Sequence, residues 1–123
     1  MARVVIAESN FLYADLLAEY LQEVGHAIRV ASAEREIWAA ILAEVPDVLL
    51  LDLGLPDVCA ATLIPKLLER SPSTRIFALT GRSSIDAGTD AVRLGAHAHL
   101  VKPVKFMTLA THLQMLNEPA LLD

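Results

Sequence analysis

Asp52 stands at the end of an unbroken apolar run. In VLLLDLGLPD, residues 48–57, four hydrophobic residues lead straight into a carboxylate, and a Gly and a Pro follow. Asp is a favoured helix cap, which is one explanation. The other is an acid held at the mouth of a buried strand, where open α/β sheets keep their chemistry. Three more strand-like runs end in polar residues: RVVIA before Glu8 and Ser9, RIFAL before Thr80 and Gly81, and HLV before Lys102 and Pro103. Carboxylates, a hydroxyl and an ammonium together can ligate a cation, neutralise an anion and supply a nucleophile. A cap at Asp52 would leave the other three unexplained.

The elements that must position these groups are legible as periodicities. Short apolar runs predict strands over 3–7, 27–30, 48–51, 75–79 and 99–101. Helical spacing of Leu12, Leu16, Leu17, Tyr20, Leu21 and Val24 predicts a helix over 11–24, stopped by Gly25. A second begins at Ser32, in a capping-box pattern with Arg35 where a Glu would be ideal. Its apolar stripe is Ile37, Trp38, Ile41 and Val45, and Pro46 ends it. Helices are also expected over 60–70, with Pro65 an irregularity, over 84–94, closed by Gly95, and over 105–116. Strands alternating with helices imply right-handed crossovers and a parallel sheet. The expectation is a doubly wound (βα)5 three-layer sandwich, one domain over 1–116 with a short polar tail over 117–123.

Composition narrows the class. A formal net charge of −5 argues against a nucleic-acid footprint, which needs a basic face. The single cysteine, Cys59, allows no internal disulfide, fits a reducing compartment, and is expected as a half-buried thiol. Mean hydropathy is +0.47, but charges interrupt every apolar stretch before a membrane-spanning length, and no signal peptide precedes the first strand. The expectation is a soluble cytoplasmic protein that binds neither nucleic acid nor membrane.

Glu8, LLLDLGLP around Asp52, ALTG ending at Thr80-Gly81 and GAHAHLVKP ending at Lys102-Pro103 occur in order. In this the chain resembles a response-regulator receiver domain of two-component signalling, over essentially its whole length. The resemblance implies a flavodoxin-like strand order, 2-1-3-4-5, and a protein that signals rather than an enzyme. It implies that Asp52 accepts a phosphoryl group, that Lys102 neutralises a phosphoryl oxygen beside Pro103, and that Thr80 bonds another. It implies Mg2+ held by Asp52, by the Gly54 backbone carbonyl and by the second acid of the first strand, with Glu8 acting through water. A sensor histidine kinase or histidine phosphotransfer protein would supply the phosphoryl group. The output partner would bind the face of the fourth helix, fifth strand and fifth helix, including Ile85, Val92, His99, Leu100, Lys105 and Leu109.

Other classes fit less well. A haloacid-dehalogenase-type phosphatase needs a second Asp where Gly54 stands. A flavodoxin needs a Ser/Thr- and Gly-rich loop where ESNFLY stands, and there is no Walker-type glycine loop. His97 and His99 share a strand face and are either metal ligands or solvent-facing or switch-position residues.

The chain also departs from the receiver pattern. Ser9 occupies the second-acid position, as a weak or lost Mg2+ ligand. At ~4 Å and an effective dielectric of ~20, losing one charge opposite a divalent cation forfeits several kcal/mol. His99 stands where the family has Tyr or Phe, the ring that moves with Thr80 in switching. Ala60 replaces a frequent Gly, and Arg82 stands where side chains gate water. A pseudo-receiver, an interaction module that works without phosphorylation, is therefore the alternative to a phosphoaccepting receiver.

Overall fold

In the computed structural model, which describes residues 1–116, five strands and five helices alternate along the chain. They are β1 (Arg3–Ala7), α1 (Phe11–Glu23), β2 (Ala27–Ala31), α2 (Glu34–Ala43) and β3 (Val48–Asp52). After these come α3 (Ala60–Arg70), β4 (Arg75–Thr80), α4 (Ile85–Arg93), β5 (Ala98–Val101) and α5 (Phe106–Met115). All strands pair in parallel in the order β2-β1-β3-β4-β5, the expected flavodoxin-like arrangement. The tail expected at 117–123 lies outside the described residues. Among the described residues no helix is long and apolar enough to cross a membrane.

The two-residue period of the strands sorts the interior into two cores. Val5, Ala7, Leu49, Leu51, Ile76 and Ala78 face α2, α3 and α4. Val4, Ile6, Val48, Leu50, Phe77 and Leu79 face α1 and α5. All of β3 is buried, because both its faces are covered. After α1 and α4, Gly25 and Gly95 take φ of 99° and 118°, a left-handed turn that closes a helix most cheaply without a Cβ.

Helix faces differ from the sequence reading. The buried stripe of α1 is Ala14, Leu17 and Leu21, while Leu12 is 83% exposed and Leu16 and Val24 lie half out in solvent. In α2 the core contacts are Ile37, Ala40 and Ile41, with Trp38 partly buried; the helix ends at Ala43, so Val45 lies beyond it and is exposed. Both segments carry apolar residues around much of the cylinder, and the buried stripe of each combines an alanine with larger aliphatic side chains. At the start of α2 the cap residue is Ala33, and Glu36 rather than position 35 reaches back, accepting from the Ser32 N–H at 2.6 Å and hydroxyl at 3.0 Å. Pro65 lies inside α3 on its exposed side, and Cys59 is exposed at the α3 cap position, not half-buried.

Two histidines are stitched into the fold as neutral acceptors. His26 Nδ1 accepts the Ala2 N–H at 2.9 Å, and His97 Nδ1 accepts the Ile76 N–H at 3.0 Å. Partial burial lowers both pKa values, helped by the N-terminal ammonium at His26 and by Arg75 at His97. Folding thus favours the neutral rings. The stability they contribute is fully present above the unfolded value of about 6.5 and declines as pH falls below it. Thermal midpoints measured across that range should drop on the acid side. Replacing both histidines with Asn, which accepts without titrating, should flatten the drop.

Candidate functional site

The carboxyl ends of β1, β3, β4 and β5 open into one crevice of about 370 Å³. Its lining includes Glu8, Ser9, Asp52, Gly54, Thr80 and Lys102, so the sequence-predicted residues meet there. Glu8 and Asp52 are 2% and 4% exposed, and the burial of two acids side by side requires a cation. Lys102 provides it: Nζ lies 2.9 Å from Glu8 Oε1 and 3.3 Å from Asp52 Oδ1. Partial burial pulls the Lys102 pKa down, but the Glu8 hydrogen bond and the charges of Asp52 and Glu8 outweigh it, and the net shift is upward. The ammonium is therefore charged at neutral pH.

The remaining valences are distributed unevenly. Glu8 Oε2 accepts the Asn10 N–H at 3.0 Å, and Asn10 caps α1 by accepting the Tyr13 N–H at 3.1 Å. Asp52 Oδ1 also accepts the Gly54 N–H at 2.9 Å, which fixes the turn after β3. Asp52 Oδ2 has no protein partner among the described residues, and no side-chain polar atom there is both fully buried and unbonded. That oxygen faces the crevice.

A second contact joins β4 to β5. Thr80 Oγ1 and His99 Nε2 share a hydrogen bond of 2.7 Å. The imidazole lies against α4 at Gly88, where an added Cβ would come within 2.0 Å of Nε2. Only a glycine leaves room for the ring in this inward position. His97 is held separately, by the Ile76 N–H, and the described residues contain no cluster of three His, Cys, Asp or Glu able to hold a metal. Arg82 starts a single-turn 3-10 helix, Arg82–Ser84, and is absent from the crevice lining.

Sequence reasoning missed Tyr13. Its hydroxyl accepts the Val104 N–H at 2.8 Å, just past the cis Lys102–Pro103 bond, and its ring centroid lies 5.6 Å from the Lys102 Nζ. Its place three residues after the α1 cap, on the first turn beside the acidic loop, was the available signal. Burial raises its pKa, so it remains a phenol.

Asp52, Glu8 and the Gly54 carbonyl compose an oxygen donor set of the kind magnesium accepts, since the ion keeps several waters. The set is lean, because Ser9 offers an exposed hydroxyl where a third acid would add charge.

Comparison with known proteins agrees with this geometry. Residues 4–114 match the response regulator receiver domain family. The chain belongs to that family. Receiver domains are signalling modules, generally non-enzymatic, that work with histidine kinases and output domains and typically bind Mg2+ at the acidic pocket. The chain is 33% identical over 98 residues to the regulatory protein LuxO of Vibrio cholerae, covering 80% of this chain and 22% of that protein. It is 29% identical over 116 residues to the virulence transcriptional regulatory protein PhoP of Salmonella typhimurium, covering 94% and 52%. It thus spans about half or less of these relatives. The receiver domain of the TMAO respiratory system response regulator TorR superposes with a TM-score of 0.86 at 26% identity, covering 94% of this chain and 96% of that one. The receiver domain of NtrX from Brucella abortus gives 0.85 at 24%, covering 96% and 99%, a likeness of fold.

Gly88→Ala should expel the His99 ring and break its bond to Thr80. Two-dimensional NMR should then show displaced His99 ring and Thr80 amide resonances, although Ala favours helix over Gly by about 1 kcal/mol. Unchanged resonances would show that α4 yields instead of the ring.

Proposed function

We propose that this receiver accepts a phosphoryl group on Asp52 from a histidine kinase or a histidine phosphotransfer protein. The observation that carries the reading is the state of the Asp52 carboxylate: Oδ1 is held by Gly54 and Lys102, while Oδ2 is open to the crevice. In-line transfer asks little covalent chemistry of a protein but much positioning and charge neutralisation. Oδ2 attacks phosphorus, the bond from phosphorus to the donor's leaving atom breaks, and the donor departs with that electron pair. Lys102, already charged, keeps its bond to Glu8 and turns another of its N–H donors to a phosphoryl oxygen. Thr80 donates its hydroxyl hydrogen to another, and in the tautomer where His99 Nε2 is the present acceptor of that hydrogen this exchanges its bond with His99. Mg2+, when held by Asp52 and the Gly54 carbonyl with Glu8 acting through water, would neutralise negative charge on the phosphoryl group.

The exchange at Thr80 links the site to the proposed output surface of α4, β5 and α5. Two residues expected on that surface are not on it: Leu100 and Leu109 are buried in the core against α1 and α5, because the strand and helix periods turn them inward. Ile85, Val92 and Lys105 are exposed, and Met107, 82% exposed, joins them. Whatever partner binds there, phosphorylation shifts its affinity only by the difference it makes between the two ring positions.

Ser9 supports a second reading, a receiver that signals without phosphate. A small phosphodonor with Mg2+, followed by intact-protein mass, separates the two. Gain of one phosphoryl group, absent in Asp52→Asn, is the expected result. No gain at saturating Mg2+ favours the phosphate-independent module, and a phosphoryl group surviving in Asp52→Asn rules out this acceptor.

Calorimetry should find weak Mg2+ binding to the wild type and roughly tenfold or tighter binding to Ser9→Asp, as one restored charge pair at ~4 Å supplies more than the 1.4 kcal/mol per decade. Equal affinities would mean that Glu8 gives up Lys102 and Asn10 to serve as a direct ligand.

A further inference from the structure

Two patches outside the crevice complement each other. The first is the outer face of α1. Leu12 is 83% exposed and Leu16, one turn later, is 51% exposed. Beside them run Asp15, Glu19 and Glu23, none of which forms an ion pair with a described residue, and α1 contains no basic residue. The second is a groove of about 410 Å³ between α2 and α3, lined by Trp38, Ile41, Leu42, Lys66 and Arg70. Leu42 is 83% exposed. The indole N–H of Trp38 is occupied by Glu34 at 3.2 Å, so the ring offers only apolar surface. No acid lines the groove. Lys66 has no ion-pair partner among the described residues, and Arg70 only an exposed one, Glu69 at 4.0 Å.

We propose that the α2–α3 groove of one copy receives helix α1 of a second copy of this chain. The match is one of spacing as well as character. Leu12 and Leu16 are one turn apart, as are Trp38 and Leu42, and Asp15 and Glu19 repeat at the spacing of Lys66 and Arg70. Residues four apart on a helix lie about 6 Å from one another on the same side. Two apolar steps therefore meet two apolar steps while two carboxylates meet two cations. A helix laid in an apolar groove with a charged rim is a recurrent recognition mode. In a chain of net charge −5 the two cations make this groove a place where an acidic helix is attracted rather than repelled.

The geometry fixes the kind of assembly. Helix α1 packs on one face of the sheet, and α2 and α3 pack on the other. The contact is heterologous, head to tail, and it extends into a chain or closes into a ring rather than stopping at a two-fold dimer. One helix in one groove is a small interface, so association is weak and concentration-dependent. It is independent of the reading of Asp52 as phosphoacceptor, since neither patch includes a crevice residue.

The test is sedimentation equilibrium of the whole chain over a concentration series, at low and high salt. The wild type should rise above the 13.3 kDa monomer with concentration, and added salt should reverse the rise, since the Debye length is only ~10 Å at 0.1 M. The surface variants Lys66→Glu/Arg70→Glu and Asp15→Lys/Glu19→Lys should each remain monomeric, because each sets like charges against each other. Mixed together, they should associate again. A wild type that stays at monomer mass throughout overturns the proposal. So does association that both variants retain, or a mixture that fails to restore it.

Discussion

The ammonium of Lys102 lies between the carboxylates of Glu8 and Asp52, and the upper edge of the sheet depends on it. Both acids are buried, and with neither water nor a cation they would repel each other in a medium that screens poorly. The three charges also tie together the ends of β1, β3 and β5. Because β4 lies between β3 and β5, Lys102 must reach across two strand spacings, about 10 Å, to touch Asp52. A long flexible stem with a compact charge at its tip does this, and a short side chain could not. Glu8, longer by a methylene than Asp, extends the opposite arm from β1.

That tie leaves the crevice with one carboxylate oxygen facing solvent and a cation already in place. It also divides the site into two linked halves. On one side, Glu8, Asp52 and Lys102 are held by charge. On the other, Thr80 and His99 are held by a single hydrogen bond between adjacent strand ends, with the ring seated in the space left by Gly88. The first half resists change because moving any member leaves a buried charge unpaired. The second can rearrange at the cost of one hydrogen bond, about 1 kcal/mol, which is the scale a signalling state can overcome. The backbone contact from the Lys102 N–H to the Thr80 carbonyl, 2.7 Å, makes the halves neighbours.

Much of this was readable in the residues. The strand runs, the sheet order implied by the family resemblance, and the polar strand ends at Glu8, Asp52, Thr80 and Lys102 all fell where the structure has them, because parallel α/β folds confine such groups to one edge. The face of α1 differs from its periodicity at Leu12 and Leu16, because that helix is apolar on more than one side and periodicity alone does not say which side meets the sheet. Val24 and Val45 are exposed because α1 and α2 end before them, at Glu23 and Ala43. Leu100 and Leu109 were assigned to the surface for a related reason: a surface built from three elements was read as a list of residues, although alternate residues of a strand face opposite ways.

The sequence by itself determined what depends on type and order. It specified where strands and helices occur, that the sheet is parallel and covered on both faces, and that two acids, a hydroxyl and an amine end four strands. It also specified that Ser9 supplies no charge where an acid is usual. Only the tertiary structure decided which atoms touch. It joined Lys102 to Glu8 as well as to Asp52, left Asp52 Oδ2 open, drew Tyr13 under the Lys102 loop, and paired His99 with Thr80 against Gly88. The physical reason is separation along the chain. Lys102 and Glu8 are 94 residues apart, and a contact at that distance has no local pattern, because it exists only once the crossovers have brought the strand ends together.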